Sequence, residues 1–394
     1  MKKICENQNQ RETKWAALET HTKTIESISA VHSGAKELLA LQRGLTGERE
    51  LAGKKYMDDK RLFGAYTAYY FPVSYQQIYH AAQFLREKSK KSVRILDFGS
   101  GPGSASSAII DKIREQNPEI AVELVLMDYS ESALSFARDF FRAEYKNIFL
   151  HTIRADFQKE TVKSALKKAG ISGFFDVAVS CHLLNELWKS DENRIAKRTA
   201  LALDVASVLE NDGEMILCEP AILEASRALI AVRDSLLDSG LFPCAPCVRA
   251  KKCPALSAGE QHTCHAEFPV VDSGKIAFLA QKAKLDRTSV KMTYFVFRKS
   301  FSEENPETEN PAANAISGRI VSDAMLNKAG RTRFLVCTGS RRVAVSAKKD
   351  DERARALGFF NLRRMDFVRF SLLEERGEAF GIAESTALSV EKAQ

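Results

Sequence analysis

The alternation of apolar and polar positions changes twice along the chain, and each pattern predicts a different kind of secondary structure. Over residues 1 to about 90, apolar residues such as Ile25, Ile28 and Leu38 recur at helical spacing, which predicts a helical N-terminal region. From Val93 onward, short apolar runs alternate with longer amphipathic stretches, which predicts a parallel sheet covered on both faces. Strands are predicted at 93–98, 123–127, 148–153, 174–180 and 214–218, with helices at 104–116, 131–144, 159–169 and 191–210.

The chain becomes β-rich beyond a polar segment at 301–314, which contains four Glu, three Asn and two Pro and predicts a linker. Short strands are predicted after it, at 319–321, 333–337 and 343–346. The predicted division is a helical N-terminal region (1–90), an α/β domain (91–300) with a cysteine-rich insert at 243–268, the linker (301–314), a basic β-rich C-terminal unit (315–375) and a loose tail (376–394).

Composition places the chain among globular proteins, with 45% hydrophobic and 28% charged residues in 394 positions. No apolar run approaches the roughly 18 residues that a membrane span needs. The first residues carry no apolar stretch after their lysines, so we expect no secretory signal. We therefore expect a cytoplasmic protein of bacterial type, with the mitochondrial matrix as the other compartment, and reduced cysteines in either case.

Positive charge is concentrated near the C-terminus. The net charge of the chain is +7. Between Asn327 and Arg369 there are 12 Lys/Arg against 4 Asp/Glu, a difference of +8, so the rest of the chain is close to neutral. A basic segment of this kind favours the phosphate backbone of a nucleic acid, and the alternative is a solvated basic face.

A glycine-rich turn follows the first predicted strand of the α/β domain. Gly99, Gly101 and Gly103 have the spacing G-x-G-x-G, and Asp97 precedes them. The next predicted strand ends at Asp128. Glycines at this point let the backbone turn tightly and approach a ligand closely.

These residues resemble the class I S-adenosylmethionine-dependent methyltransferases, which have a Rossmann-like α/β fold. The resemblance implies that the three glycines pass the methionine moiety, with Asp97 near its amino group and Asp128 on the ribose hydroxyls. Asp156, after the third strand, is either a contact to the adenine amino group or the N-cap of the next helix.

The reacting groups are less evident, because the Asn/Asp-Pro-Pro-aromatic motif of amino-directed methyltransferases is missing after the fourth strand. Cys181, His182 and Glu186 occupy that region. His182 could act as a base, and Cys181 as a nucleophile of the kind used in pyrimidine C5 methylation; the alternative for Cys181 is a buried core thiol. The sequence therefore leaves open whether methyl transfer occurs.

Four cysteines within 21 residues indicate a metal site. Cys244, Cys247, Cys253 and Cys264 could hold a zinc ion, with His262 and His265 as further ligands, or an iron–sulfur cluster. The C-x3-C-x2-C spacing of radical S-adenosylmethionine enzymes is missing from this segment.

The combination of motifs resembles the methyltransferase-like assembly factors of the small ribosomal subunit, known in mitochondria and with bacterial relatives. The matching runs are LDFGSGPGSA at 96–105, DVAVSCHLLNEL at 176–187, CEPA at 218–221, the cysteine insert and LVCTG at 335–339. The resemblance implies a [4Fe–4S] cluster bound by Cys247, Cys253, Cys264 and Cys337, with Cys244 as an alternative ligand. It also implies a monomer that binds S-adenosylmethionine and associates with the rRNA and proteins of the small subunit, without a membrane. The alternative is an active rRNA methyltransferase with a structural zinc site.

Overall fold

The computed structural model describes residues 15–29, 34–48, 50–51, 56–272, 276–300, 309–310 and 314–393. The chain forms two compact units, residues 1–220 with 268–290 and residues 221–267 with 291–394. This division differs from the predicted one. The N-terminal helices group with the α/β sheet, and the cysteine-rich segment groups with the C-terminal strands. Most of the predicted linker at 301–314 lies outside the described residues.

The described N-terminal part of the first unit is helical, as predicted, and residues 1–14 of the predicted helical region lie outside the described residues. Asp59 caps one helix by accepting hydrogen bonds from the N–H groups of Arg61 and Leu62. Tyr69, Phe71 and other aromatic side chains of this region are buried, so they contribute to the core. The α-helices are Ala16–Ile28, Ala35–Gln42, Lys60–Ala65 and Phe71–Ala82, with π-helical turns at Arg43–Gly47 and Tyr66–Tyr70 and a 3-10 turn at Tyr56–Asp58.

Five parallel strands carry the first unit, in the order β3-β2-β1-β4-β5. The inner residues of β1, β2, β4 and β5 are buried on both faces, which explains why these strands are apolar runs in the sequence, whereas the edge strand β3 is only partly buried. The order reverses between β1 and β4, and ligands of open α/β sheets bind at the carboxyl ends of the strands at such a reversal. The bounds are Ser92–Phe98 (β1), Ala121–Asp128 (β2), Ile148–Arg154 (β3), Phe175–Cys181 (β4) and Leu209–Pro220 (β5).

The helices between these strands confirm the predicted β-α alternation, with one correction that concerns Asp156. The predicted helix at 159–169 begins only at Val162, and its N-cap is Thr161, whose hydroxyl accepts from the N–H of Ser164. The interpretation of Asp156 as a helix N-cap is therefore wrong. The connecting helices are Ser104–Arg114, Glu131–Glu144, Val162–Lys168 and Arg194–Ser207, and a further helix of this unit is Ile276–Lys282.

The cysteine-rich part of the second unit contains few regular elements. A long helix, Leu223–Asp238, leads into β6, Phe242–Ala245, which pairs antiparallel with the end of β8, Ser289–Arg298. Only a short helix, Pro254–Ser257, interrupts the loop that follows β6, and β7 spans Ala266–Pro269. The cysteines at 247, 253 and 264 therefore lie in irregular chain.

The C-terminal part of the second unit is a nine-stranded sheet in which seven strands follow the order β15-β16-β13-β12-β10-β14-β17. Ile320, Phe334 and Val345 are among the buried side chains of its core. The predicted β-rich unit is thus present, but the predicted loose tail is wrong, since β17 pairs with β14 over five residues. The elements are Glu309–Asn310 (β9), Ala315–Ile320 (β10), Met325–Leu326 (β11), Arg331–Cys337 (β12), Arg342–Lys348 (β13), helix Glu352–Ala356, Phe367–Ser371 (β14), Glu374–Arg376 (β15), Ala379–Gly381 (β16) and Ala387–Glu391 (β17).

None of the helices in the described ranges combines the length and the apolar character that a membrane span requires.

Candidate functional site

A cavity of about 440 Å³ lies at the carboxyl ends of the parallel strands in the first unit; we call it the donor pocket. Its walls include most of the residues that the sequence singled out, namely Gly99, Gly101, Asp128, Asp156, Cys181, His182 and Glu186. Asp97 and Gly103 are not among the lining residues. Tyr56 and Tyr66 also line the pocket, and neither was predicted as a site residue.

The glycine turn at the floor of the pocket requires glycine for two separate reasons. Gly99, Gly101 and Gly103 have φ values of 76°, 51° and 92°, which side chains rarely adopt. A Cβ atom on Gly103 would also come within 2.5 Å of the Phe141 ring. The turn is therefore fixed by backbone conformation and by close packing together.

Asp97 presents an unsatisfied carboxylate oxygen beneath the turn. The side chain is 0% exposed, and Oδ2 accepts hydrogen bonds from the backbone N–H and the hydroxyl of Ser106. Oδ1 has no hydrogen-bond partner among the described residues. Burial raises the pKa of Asp97 to about 7. A positively charged group next to this buried oxygen would give it a partner.

Asp128 ends β2 and fixes the turn by accepting hydrogen bonds from the N–H of Gly101 at 2.7 Å and from that of Ser130 at 2.8 Å. Burial raises its pKa, although these N–H groups oppose the shift. These hydrogen bonds hold the carboxylate at the end of β2, where it lines the pocket. Asp156 accepts from the N–H of Gln158 in a turn and forms an ion pair with Lys159 at 3.0 Å.

The residues after β4 also meet in the donor pocket. Cys181 is paired in register with Cys218 on β5, and their sulfur atoms and one nitrogen of His182 lie within 4.8 Å of one another. A hydrogen bond from Cys218 lowers the pKa of Cys181, and burial raises the pKa of Cys218. Burial lowers the pKa of His182, but the neighbouring Cys181 thiolate outweighs this effect and raises the pKa to about 8.

Cys218 was missed in the sequence as a site residue, although it lies at the end of a predicted strand. A signal was present, because adjacent parallel strands bring their carboxyl ends together. The two cysteine sulfurs and the histidine nitrogen are close enough together to bind one metal ion. A structural zinc site takes four protein ligands, however, and the described residues supply only these three within that distance.

The second unit holds a separate cavity, the cysteine site, lined by Cys247, Cys253, Cys264 and Cys337. Cys337 ends β12, more than 70 positions after Cys264, and still reaches the same cavity. Cys244 is not among the lining residues, and its sulfur lies 3.4 Å from the carbonyl of Phe242.

Charged side chains hold the loops of the cysteine site in place. Arg233, which is 1% exposed, donates to the carbonyls of Lys251 and Arg249 and pairs with Asp234. Asp234 accepts in turn from the N–H of Cys253 at 3.1 Å. Arg233 and Asp234 lie on one helix and belong to no recognisable sequence motif, so these contacts were not predicted from the sequence.

Two further arginines reach the same loops from the C-terminal sheet. Arg319 donates to the carbonyl of Pro246 at 2.6 Å, and Arg342 donates to that of Thr263 at 2.6 Å. Arg319 lies opposite Cys337 in the β10–β12 ladder. The position of Cys337 is therefore fixed together with the loops.

The separation of the sulfurs distinguishes between kinds of metal centre. A single tetrahedral zinc, with Zn–S bonds near 2.3 Å, would hold its sulfurs about 3.8 Å apart. Among the described residues, no three of the four sulfurs lie within 4.8 Å of one another. A four-iron cluster binds each thiolate to a different iron and therefore does not need its sulfurs within that distance.

Burial raises the pKa of three of these thiols, to about 12 for Cys253 and Cys264 and about 11 for Cys337. The neighbouring cysteines raise these pKa values further, whereas Arg342 lowers the pKa of Cys264 and Cys337. A group bound here must therefore bring positive charge to hold the thiolates.

The strand order and the donor pocket at its reversal define a class I S-adenosylmethionine-dependent methyltransferase fold. The chain belongs to the family described as mitochondrial small ribosomal subunit Rsm22, whose sequence model matches residues 62–356. Both this fold and this family were predicted from the sequence and are confirmed.

Solved structures similar to the chain include several methyltransferases. A methyltransferase from Pyrococcus furiosus is 13% identical, with 58% of this chain and 83% of that chain covered and a TM-score of 0.35. The plantazolicin methyltransferase BpumL, in complex with SAH, is 13% identical, with coverage of 71% and 100% and a TM-score of 0.34. The mitomycin 7-O-methyltransferase MmcR is 15% identical, with coverage of 73% and 68% and a TM-score of 0.33. No significant match was found among curated proteins.

Proposed function

We propose that this protein is an S-adenosylmethionine-binding, iron–sulfur-containing factor that acts on the small ribosomal subunit by binding its rRNA. The observation that carries the proposal is the match to a small-subunit family over residues 62–356, a span that contains most residues of the donor pocket and all four cysteines of the cysteine site. The two sites supply the chemistry for the two cofactors.

Three acidic residues, two that line the donor pocket and one buried beneath its glycine turn, are assigned to three parts of the donor. Asp128 is assigned to the ribose hydroxyls, Asp156 to the adenine amino group and Asp97, whose Oδ1 has no hydrogen-bond partner among the described residues, to the amino group. The positive φ values of the glycine turn disfavour residues with side chains, which keeps the turn free of Cβ atoms at the edge of the pocket. When bound, S-adenosylmethionine supplies an electrophilic methyl group at the carboxyl ends of the strands.

At the cysteine site, Cys247, Cys253, Cys264 and Cys337 would hold a [4Fe–4S] cluster. Their shared cavity and their separation support this assignment. Three of the ligands lie in loops and the fourth ends a strand of the C-terminal sheet. A cluster would therefore cross-link these segments and couple the folding of the second unit to cluster loading.

The β12–β13 hairpin, Arg331–Lys348, is the proposed rRNA contact. Arg331 lies opposite Lys348 in the antiparallel ladder, and the side chains of Arg333, Lys348 and Lys349 are exposed. Like charges directly opposite one another destabilise a sheet unless an anion lies between them. A phosphate backbone supplies such anions, and its binding releases counterions.

An active rRNA methyltransferase is the second candidate, and the lining of the donor pocket by Cys181, His182 and Glu186 favours it. Methyl transfer is a displacement in which positioning alone contributes a large part of the rate. The missing amino-directed motif therefore does not exclude catalysis.

The first experiment is anaerobic purification followed by an absorption spectrum and iron, sulfide and zinc analysis. We expect about four irons per chain, lost in Cys337→Ser and retained in the matched control Cys244→Ser, whose residue is not among those that line the cavity. One zinc and no iron would contradict the cluster assignment.

Binding to the small subunit and to the donor is measured on the same preparation. Ultraviolet crosslinking to purified small subunits should recover rRNA fragments, and calorimetry should detect S-adenosylmethionine binding. A cluster-loaded protein that crosslinks to no rRNA would overturn the proposed partner.

A further inference from the structure

Two cysteine sulfurs lie side by side at the donor pocket, and donor binding does not require them. Cys181 lines the pocket, whereas its neighbour Cys218 is 1% exposed. The register of β4 and β5 aligns the two residues, and their sulfur atoms lie within 4.8 Å. One thiol therefore faces the ligand, and the other contacts it from within the core.

The backbone next to Cys181 is unusual. His182 has a φ of 65°, in the left-handed region, a strained conformation for a residue with a side chain that is concentrated at functional sites. Its Nε2 is buried without a hydrogen-bond partner among the described residues. The strained conformation places an imidazole beside the Cys181 sulfur, where it favours the thiolate.

We propose that Cys181 is a catalytic nucleophile that adds to C6 of a pyrimidine base in RNA, and that Cys218 is a positioning residue that donates its S–H to the Cys181 sulfur. The inference rests on the proposed function, because it needs RNA as partner and S-adenosylmethionine in the same pocket. It goes beyond the proposed function because it names the atom that accepts the methyl group, a ring carbon.

The chemistry of the acceptor determines whether the methyl group would be transferred to a ring carbon or to an amino nitrogen. An exocyclic amino group has its own lone pair and needs no nucleophilic assistance, and the motif that usually orients it is missing here. C5 of a pyrimidine has no lone pair. It becomes nucleophilic only when another group adds to C6, and a thiolate facing the donor is a group that does so.

The steps balance without any further reactant. The Cys181 thiolate forms a bond to C6, and the C5–C6 π electrons attack the methyl carbon of the sulfonium, which leaves as the neutral thioether. A base then removes the C5 proton, the C5–C6 double bond re-forms and the Cys181 thiolate leaves. Glu186 lines the same pocket and is the residue to which we assign this base.

Thiol reactivity tests the activation of Cys181 without RNA. The holoprotein is treated with iodoacetamide from pH 5.5 to 9, and the rate at each cysteine is read by peptide mass spectrometry. We expect Cys181 to react at pH 6 at least tenfold faster than it does in Cys218→Ala, and Cys218→Ser to restore part of the rate because a hydroxyl also donates. An unchanged pH profile in Cys218→Ala would overturn the role of Cys218.

Covalent trapping tests the acceptor. Small-subunit rRNA transcribed with 5-fluorocytidine or 5-fluorouridine is incubated with the holoprotein and S-adenosylmethionine, because fluorine at C5 leaves no proton to remove and the Cys181–C6 bond persists. We expect a denaturation-resistant adduct, absent in Cys181→Ser, with mass spectrometry mapping the nucleotide to Cys181.

Other results separate this inference from the proposed function. A wild-type protein that binds S-adenosylmethionine and rRNA but forms no adduct would contradict the nucleophile alone. One zinc per chain that is lost in both Cys181→Ser and Cys218→Ala would also overturn it, because the sulfurs would then be metal ligands. Failure to bind either partner would instead refute the proposed function.

Discussion

The donor pocket and the cysteine site are built by different means within one chain. In the first unit, Asp97, Asp128 and Cys181 lie at or next to the ends of parallel strands, so the order of the strands is enough to gather them. In the second unit, three cysteines lie in irregular loops that are held by arginine side chains bonded to backbone carbonyls. The comparison indicates that the pocket depends on backbone topology, whereas the cysteine site depends on a few buried charged contacts.

The largest expected effect is therefore on the second unit, from Arg233→Met. The change removes the donor to the carbonyls of Lys251 and Arg249 and leaves Asp234 without its cation. Loss of one partner of a buried pair costs about 3–5 kcal/mol, and iron should be lost with it. Thermal unfolding and iron analysis measure both effects.

Arg227→Met is the matched control, since Arg227 lies on the same helix and also donates to carbonyls, of Gly259 and His262, but at the surface. If the two variants unfolded alike, the dependence of the cysteine site on buried charge would be refuted.

In the first unit, backbone conformation should dominate, and Gly103→Ala tests this. The left-handed φ costs about 1–2 kcal/mol, and a Cβ at 2.5 Å from Phe141 adds a further 1–3 kcal/mol of overpacking. Gly170→Ala is the control, because Gly170 has a φ of 70° and no atom within 4 Å of the added Cβ. Urea unfolding should separate the two variants, and an equal loss would mean that close packing at the turn is unimportant.

The helix that contains His21 is an exception to this dependence on backbone conformation, because side-chain contacts of His21 hold it in the first unit. His21 Nε2 lies 2.8 Å from Asp111, and Nδ1 lies 2.5 Å from Glu144. Burial opposes protonation, but the two carboxylates raise the pKa of His21 to about 9 from 6.5. A raised pKa of this size is worth up to about 3 kcal/mol.

The direction of the pH dependence follows from the linkage between proton binding and folding. The contribution of His21 is fully present below pH 6.5 and is lost as the pH rises through 9, because the folded state then releases its extra proton. Unfolding of wild type and His21→Gln at pH 6 and pH 9.5 measures it. We expect the difference between the two proteins to shrink at the higher pH; a difference that grew would show that the charged form is not the stabilising one.

Asp128→Asn should weaken donor binding by about 10- to 100-fold, since a hydrogen bond to a charged group contributes about 1.5–3 kcal/mol. Calorimetric titration with S-adenosylmethionine measures the change. Asp139→Asn, on an exposed position of the neighbouring helix, should bind as wild type does. Equal affinity in all three proteins would remove Asp128 from the binding site.

The smallest expected effect is that of Lys348→Ala on rRNA affinity. Loss of one phosphate contact should weaken binding only a few-fold and lower the slope of log affinity against log salt by about 1. Lys167→Ala, an exposed lysine of the first unit, should leave the slope unchanged. Filter binding at several salt concentrations distinguishes them, and identical slopes would place the rRNA contact elsewhere.

The sequence alone determined the elements whose signal is local. The apolar runs that became β1, β2 and β4 were placed within about two residues, because strands buried on both faces are continuous in the sequence. The glycine turn and the density of cysteines at 244–264 were also visible, since tight turns and thiol ligands require particular residue types.

Only the tertiary structure decided what depends on distant segments. It placed Cys218 beside Cys181 and Arg233 beneath the cysteine loops, and it showed that the tail pairs as a strand with β14. It also assigned the cysteine-rich segment to the C-terminal unit. These features arise from the pairing of strands and from side-chain to backbone bonds between residues far apart in the chain, and neither leaves a periodic pattern in the amino-acid sequence.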